Sequence, residues 1–145
     1  MKRFAFVLLL PFLLTGCATI VGSDDEAVYI NSFPTNTAFS VVDSVGNIVA
    51  KGSTPTSVIL KKNDGSYFGK REYTLTVKHE GYHSSIVPLE YRLSHWYTFG
   101  NLIFGGIPGW FIVDPYSGGM YTLKENRLNV ILRRCEPGPF RYMCT

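Results

Sequence analysis

Two histidines four residues apart are the part of the sequence with the clearest capacity for chemistry. Residues 79–83 read His-Glu-Gly-Tyr-His. On a helix, positions four apart share one face, so both imidazoles could hold one zinc ion while the glutamate activates a water molecule. This spacing raises a metal-binding protein or zinc hydrolase as one hypothesis, with His79, Glu80 and His83 as its site.

The flanking residues predict a strand rather than that helix. In "YTLTVKH" the apolar residues Tyr73, Leu75 and Val77 alternate with polar ones, which is the period of a half-buried strand. Gly81 would cost about 1 kcal/mol inside a helix. On a strand the two histidines would lie about 13 Å apart, too far to share a metal. We therefore predict neither a catalytic nor a metal site and keep the zinc hydrolase as the alternative.

The region from residue 27 to 90 has the pattern of an all-β domain. Short alternating segments are separated by turn residues, among them the hairpin signal Val45–Ile48, and "RLNVILRR" near the C-terminus is a further candidate strand. Pro88 lacks a backbone N–H, which favours an edge position for "SSIVPLE". Six or seven such strands predict a mainly β fold, a small antiparallel β-sandwich.

Several motifs in this region resemble the PEGA domain, a small β-sandwich of bacterial envelope proteins. The matching stretches are Ser32-Phe33-Pro34, Gly46, Gly52-Ser53-Thr54-Pro55, Gly65, "YTLTVKHEGY" and Leu89. The chain departs from the pattern at "PTNTAF" and in the long insert "NDGSYFGKRE". The resemblance implies a non-catalytic envelope module in which "EGY" forms a structural corner.

The N-terminus resembles that of a bacterial lipoprotein. Two cations precede an apolar run from Phe4 to Leu14, as in a secretory signal peptide, and Leu14-Thr15-Gly16-Cys17 resembles a lipobox. The resemblance implies removal of residues 1–16 and attachment of acyl chains such as palmitate to Cys17. Ala18 stands where the inner-membrane retention signal has Asp, which favours the outer membrane. The alternative is an ordinary signal peptide followed by a chance cysteine.

Net charge and cysteine content limit the remaining classes of function. Loss of Lys2 and Arg3 with the leader lowers the 14 basic residues to 12 against 11 acidic ones, a net charge near +1. Nucleic-acid binding would need clustered basic charge, so we predict none. Cys135 and Cys144 form an even pair in an exported chain, which favours a disulfide over two free thiols.

An uncharged, glycine-rich stretch from Trp96 to Val113 interrupts the strand pattern. Its four glycines and Pro108 disfavour a membrane-spanning helix. It could form short helices packed on the sandwich, enter the membrane interface through its aromatic residues, or contact another copy or a partner. The candidate contact residues are Trp96, Phe99, Phe104, Trp110 and Phe111. The stretch also resembles a tail of uncharacterised bacterial lipoproteins.

Together these patterns predict five segments: a signal peptide (1–16), a lipidated tether (17–26), a PEGA-like sandwich (27–90), a hydrophobic glycine-rich segment that could be helical (91–124), and a final strand with a disulfide-clipped tail (125–145). The predicted function is structural or protein-binding, without catalysis or cofactors. The predicted location is the outer membrane, facing the periplasm. The expected partners are the membrane, through lipid on Cys17, and an envelope protein or a second copy.

Overall fold

The computed structural model describes residues 24–95, 97, 99, 120–136 and 144. Within these residues the chain forms nine β-strands. Their bounds are β1 Asp25–Phe33, β2 Ala38–Asp43, β3 Ile48–Ser53, β4 Thr56–Lys61, β5 Tyr73–Lys78, β6 Ser85–Leu89, β7 Tyr91–Leu93, β8 Tyr121–Leu123 and β9 Arg127–Ile131. The predicted mainly β class is confirmed, and the described residues include no helix long and apolar enough to cross a membrane.

Two sheets make up the sandwich. One has the strand order β4-β1-β9 and the other β3-β2-β5-β6, while β7 and β8 pair as a separate two-stranded antiparallel sheet. Neighbouring strands are antiparallel, as predicted, except that β9 runs parallel to β1. The exception follows from a contact between distant parts of the chain. The backbone N–H of Leu123, the last residue of β8, donates to the Glu26 carboxylate near the start of β1, so the chain leads into β9 from the end where β1 begins.

Strand alternation builds the core. Every second residue is buried in β5, in β9 and, from Val28 onwards, in β1, and the apolar ones among them meet between the two sheets. The predicted inward face of β5 is confirmed, and β6 with Pro88 is an edge strand, as the proline requires. The predicted hairpin joins β2 and β3, and Gly46 takes its turn with a positive φ of 96° that glycine adopts without strain.

The sandwich has two ends, which differ in chemistry. The Asp25 end is where β1 begins and where β2 and β4 finish, so Asp25, Asp43, Lys61 and Tyr73 lie there. The Phe33 end is where β1, β3 and β5 finish, so Phe33, Ser53 and Lys78 lie there.

Two predicted boundaries need correction. We expected a tether through residue 26, but β1 begins at Asp25, because the backbone from Asp25 to Ile30 pairs with β4. We also placed the final strand outside the sandwich of residues 27–90, whereas β9 forms one edge of the three-stranded sheet. The two-stranded sheet of β7 and β8 was not predicted.

Candidate functional site

The His79–His83 motif forms a turn, not a helix. Strand β5 ends at Lys78, the Tyr82 N–H donates to the His79 carbonyl at 3.0 Å, and Gly81 has a φ of 76°. The corner expected for "EGY" is therefore observed. Because the backbone reverses between the two histidines, they do not share a helical face as a zinc hydrolase site of this type requires.

The two histidines have different surroundings. His79 Nδ1 lies 3.2 Å from the Thr37 hydroxyl, and its ring packs edge-on against Tyr82 with centroids 5.2 Å apart. In the part of the chain that the structure describes, the group of three potential metal ligands comprises His83, Cys135 and Cys144, and does not include His79 or Glu80. The geometry thus separates the three residues of the motif.

A disulfide joins Cys135 and Cys144, as predicted from the even number of cysteines that follow Cys17. The sulfur atoms are 2.05 Å apart and the Cα atoms 6.3 Å. The bond lies at the Phe33 end, because β9 runs towards that end and Cys135 follows it. The Cys135 N–H donates to the Gly81 carbonyl at 2.9 Å, which ties the clipped tail to the turn.

A network of neutral hydroxyl groups also lies at the Phe33 end. The hydroxyls of Ser32 and Thr54 are 2.6 Å apart, and the Thr37 N–H donates to Thr54 Oγ1 at 3.2 Å. The Ser32 and Thr37 hydroxyls both donate to the Pro34 carbonyl at 2.6 Å. All three hydroxyl residues are buried, so these bonds replace the hydration lost on folding.

At the Asp25 end, charged side chains form the polar contacts that hydroxyl groups form at the Phe33 end. The Glu26 carboxylate accepts hydrogen bonds from Thr122 Oγ1 at 3.0 Å and from the Leu123 N–H at 2.9 Å. Lys62 is buried nearby. Burial lowers the pKa of Lys62, while the negative charges of Glu26, Asp24 and Asp25 act in the opposite direction.

Two tyrosines at the same end differ in whether their hydroxyl groups form hydrogen bonds. The Tyr73 hydroxyl donates to the Lys61 carbonyl at 2.9 Å. The Tyr91 hydroxyl is buried and has no hydrogen-bond partner among the described residues. Burial raises the pKa of both phenols, most strongly that of Tyr91. Both therefore stay neutral at physiological pH and act as structural groups.

The outer faces of the two sheets differ in how their exposed apolar side chains are arranged. On the three-stranded sheet, Phe33 and Ile131 are paired neighbours in the register of β1 and β9, with 66% and 76% of their surfaces exposed. Tyr29 and Ile59 are exposed on the same face. On the other sheet, the outward positions hold the polar residues Ser40, Thr74, Thr76 and Lys78, with exposed apolar side chains at Ile48 and Ile86 on its two edge strands. What distinguishes the three-stranded sheet is that two mostly exposed apolar side chains, Phe33 and Ile131, are direct partners in the register.

Most of the predicted contact and lipidation residues lie outside the described part of the chain: Cys17, Trp96, Phe104, Trp110 and Phe111. Phe99 is described and exposed, and its ring stacks on His95 with centroids 6.5 Å apart.

Comparison of the chain with protein-family models, with curated proteins and with solved structures found no match. The lipoprotein and PEGA resemblances therefore stay predictions.

Sequence reasoning missed two groupings. Glu26 lies in the segment 17–26 that we predicted to be a tether, yet its carboxylate accepts hydrogen bonds from residues 96 and 97 positions away. His83 was considered only with His79, although the fold places it beside the two cysteines. Spacing along the chain carries no signal for either grouping, because both depend on where β8 and β9 pack.

Proposed function

We propose that this chain is a lipid-anchored cell-envelope protein whose sandwich binds another protein and performs no catalysis. The observation that carries the binding role is the pair of adjacent, mostly exposed apolar side chains on the outer face of the three-stranded sheet. Single exposed apolar side chains are ordinary on protein surfaces, whereas adjacent ones favour an interaction site. Phe33 and Ile131 are adjacent in the register, and both are mostly exposed.

The polar groups around this pair suit the rim of an interface. The Asn31 side chain donates to that of Asn129 at 3.3 Å on the same face, one pair of outward positions from Phe33 and Ile131. Arg127 lies beyond them and pairs with Tyr29 in the register. Apolar anchors bordered by polar groups, with an aromatic residue and arginine present, are typical of protein–protein contacts.

The anchoring half of the proposal rests on "LTGC" at residues 14–17. Asp25 lies eight positions after Cys17, so the connecting chain spans at most about 28 Å. Lipid on Cys17 would therefore hold the Asp25 end close to the bilayer and leave the Phe33 end farther away. Two or more acyl chains give stable attachment, and Ala18 favours the outer membrane with the domain in the periplasm.

The Cys17→Ser variant tests the anchor. We expect loss of labelling by an alkyne fatty acid and release of the protein from washed membranes. Ala18→Ser, one residue away, should leave both unchanged. Membrane retention of Cys17→Ser at the wild-type level would contradict lipid anchoring.

The Phe33→Ser/Ile131→Ser variant tests the binding face, with Ile86→Ser as its matched control. Ile86 is 67% exposed, but it lies on edge strand β6 of the other sheet. After cross-linking in cells, a co-purifying envelope protein should be lost from the double variant and kept by the control. Equal capture by all three proteins would contradict the assignment of this face.

The glycine-rich stretch is a second proposed contact, carried by the exposed Phe99 and by the four aromatic residues predicted with it. Trp96→Ala and Trp110→Ala should reduce the same co-purification if this stretch adds to the interface. Unchanged capture would remove the stretch from the proposed interface.

A further inference from the structure

Backbone hydrogen bonds hold the turn after β5 against the tail after β9. The His83 N–H donates to the Arg133 carbonyl at 2.9 Å, and the Cys135 N–H donates to the Gly81 carbonyl at 2.9 Å. Tyr82 and Arg134 form an antiparallel bridge between these two bonds. His83 and Cys135 are therefore neighbours because of the main chain, whatever their side chains do.

The side chains converge at this place. A ring nitrogen of His83 and the sulfur atoms of Cys135 and Cys144 all lie within 4.8 Å of one another. Zinc sites have Zn–S distances of about 2.3 Å and Zn–N distances of about 2.0 Å, so tetrahedral ligand atoms lie about 3.5–3.8 Å apart. In the oxidised protein the sulfur atoms are bonded at 2.05 Å and cannot act as thiolates.

We propose that reduction of the Cys135–Cys144 disulfide converts this corner into a binding site for Zn²⁺. The two thiolates and the His83 imidazole supply three ligands, and water takes the fourth position. This set is independent of the proposed anchoring and binding functions, and it excludes His79 and Glu80.

The chemistry balances with a dithiol as the reductant. The dithiol transfers two electrons and two protons to the disulfide and becomes a disulfide itself, leaving two protein thiols. Zn²⁺ then displaces the two thiol protons, which pass to solvent. The Zn²⁺ ion with two thiolates and a neutral imidazole carries no net charge, so the nearby Arg133 and Arg134 do not oppose its binding.

The sulfur atoms are accessible to solvent, which favours both reduction of the disulfide and binding of the metal ion. His83 is exposed and both cysteines are half-buried, so a reductant and a hydrated ion can reach the sulfur atoms from solvent. The corner lies at the Phe33 end, opposite the start of β1. Oxidation to the disulfide would expel the metal, because it consumes two of the three ligands.

The test uses the full-length protein, purified in detergent and reduced with a water-soluble phosphine that is removed under inert gas. We expect the reduced protein to bind one Zn²⁺ in competition with a chromophoric chelator, and to give tetrahedral and thiolate charge-transfer bands with Co²⁺. The oxidised protein should bind neither ion. Absence of binding after reduction, or equal binding before and after, would overturn the proposal.

Histidine variants identify the third ligand. We expect His83→Ala to weaken Zn²⁺ binding at least about tenfold, as disturbance of a metal's ligand sphere does. His79→Ala is the matched control and should bind like the wild type. His83→Cys should retain binding, because it restores a ligand at the same backbone position. Equal affinity of wild type and His83→Ala, or equal weakening by His79→Ala and His83→Ala, would overturn the assignment.

Discussion

Charged groups close the sandwich at the Asp25 end, whereas hydroxyl groups and a disulfide close it at the Phe33 end. Glu26 and the buried Lys62 lie at the first, and Ser32, Thr54 and the cysteines at the second. Burying a charge without a partner costs free energy, so the charged residues at the Asp25 end are needed to stabilise the fold. Among the described residues, the Phe33 end has no buried charge, and it leaves His83, Phe33 and Ile131 exposed. The comparison teaches that function should be sought at the Phe33 end.

The largest expected effect comes from Glu26→Ala. The variant loses two charge-assisted hydrogen bonds and the first of the carboxylates that favour the charge of Lys62. We expect the free energy of unfolding to fall by about 3 kcal/mol in urea titrations. Glu72→Ala is the control, because Glu72 pairs with Lys70 in solvent and should contribute less than about 1 kcal/mol. Similar losses in both variants would remove the special role of charge at the Asp25 end.

Removing the disulfide should have the next largest effect. For the double variant Cys135→Ser/Cys144→Ser, the loop closed by a separation of 9 residues predicts a loss of about 2.5 kcal/mol, mainly through greater freedom of the unfolded chain. His83→Ala, with the disulfide intact, should change stability by less than about 0.5 kcal/mol, since the residue is exposed. Equal melting of the double variant and the wild type would show that the clip does not stabilise this end.

Thr54→Val tests the hydroxyl network. Valine keeps the shape of the side chain but removes the acceptor of the Thr37 N–H and the partner of the Ser32 hydroxyl. We expect a loss of about 2 kcal/mol in the free energy of unfolding. Thr76→Val, on the outer face of β5, should change it by less than about 0.5 kcal/mol. If the two variants unfold alike, the hydroxyls are not what closes the Phe33 end.

The two tyrosines of the Asp25 end should respond in opposite directions. Tyr73→Phe loses the bond to the Lys61 carbonyl and should destabilise the protein by about 1 kcal/mol. Tyr91→Phe removes a buried hydroxyl without a partner among the described residues, so stability should stay constant or rise. Thermal unfolding of the pair measures the difference. A larger loss for Tyr91→Phe would mean that its hydroxyl is bonded in solution.

The smallest effect concerns Asp43 in the hairpin turn at the Asp25 end. Hydrogen bonds from the Asn47 side chain and N–H lower the pKa of this carboxyl below its ordinary value of 3.8. Its contribution to stability is therefore present above that value and is lost as pH falls through the lowered pKa. Asn47→Ala should move the pKa back towards 3.8 in NMR titrations, while Asp64, which bonds Ser66, keeps its lowered pKa. An unchanged Asp43 titration would contradict this cause.

Local patterns predicted much of the fold, and long-range packing explains the rest. The alternation in β5, the glycine turn after β2 and the edge strand with Pro88 are each set by neighbouring residues, and the structure confirms them. The parallel pairing of β9 with β1 and the bonds of Glu26 to β8 depend on residues about 100 positions apart. Periodicity and turn signals carry no information about such contacts, so Asp25 and Glu26 were assigned to the tether.

In the candidate site, too, some features follow from neighbouring residues and others from long-range packing. The pairing of Cys135 with Cys144 could be predicted from their number and proximity in the sequence. The position of His83 beside them could not, because it depends on hydrogen bonds between the turn after β5 and the tail after β9. The His-Glu-x-x-His spacing pointed to His79 instead, whose ring contacts Thr37 and Tyr82.

Site-specific photo-cross-linking in living cells tests most directly whether the outer face of the three-stranded sheet binds a partner at its Phe33 end. A photoreactive amino acid would replace Phe33, Ile86 or Lys61 in turn, and adducts would be compared in one membrane preparation. The account predicts a discrete adduct with an envelope protein from position 33 and none of that mass from positions 86 or 61. The same adduct from all three positions, or none from position 33, would contradict it.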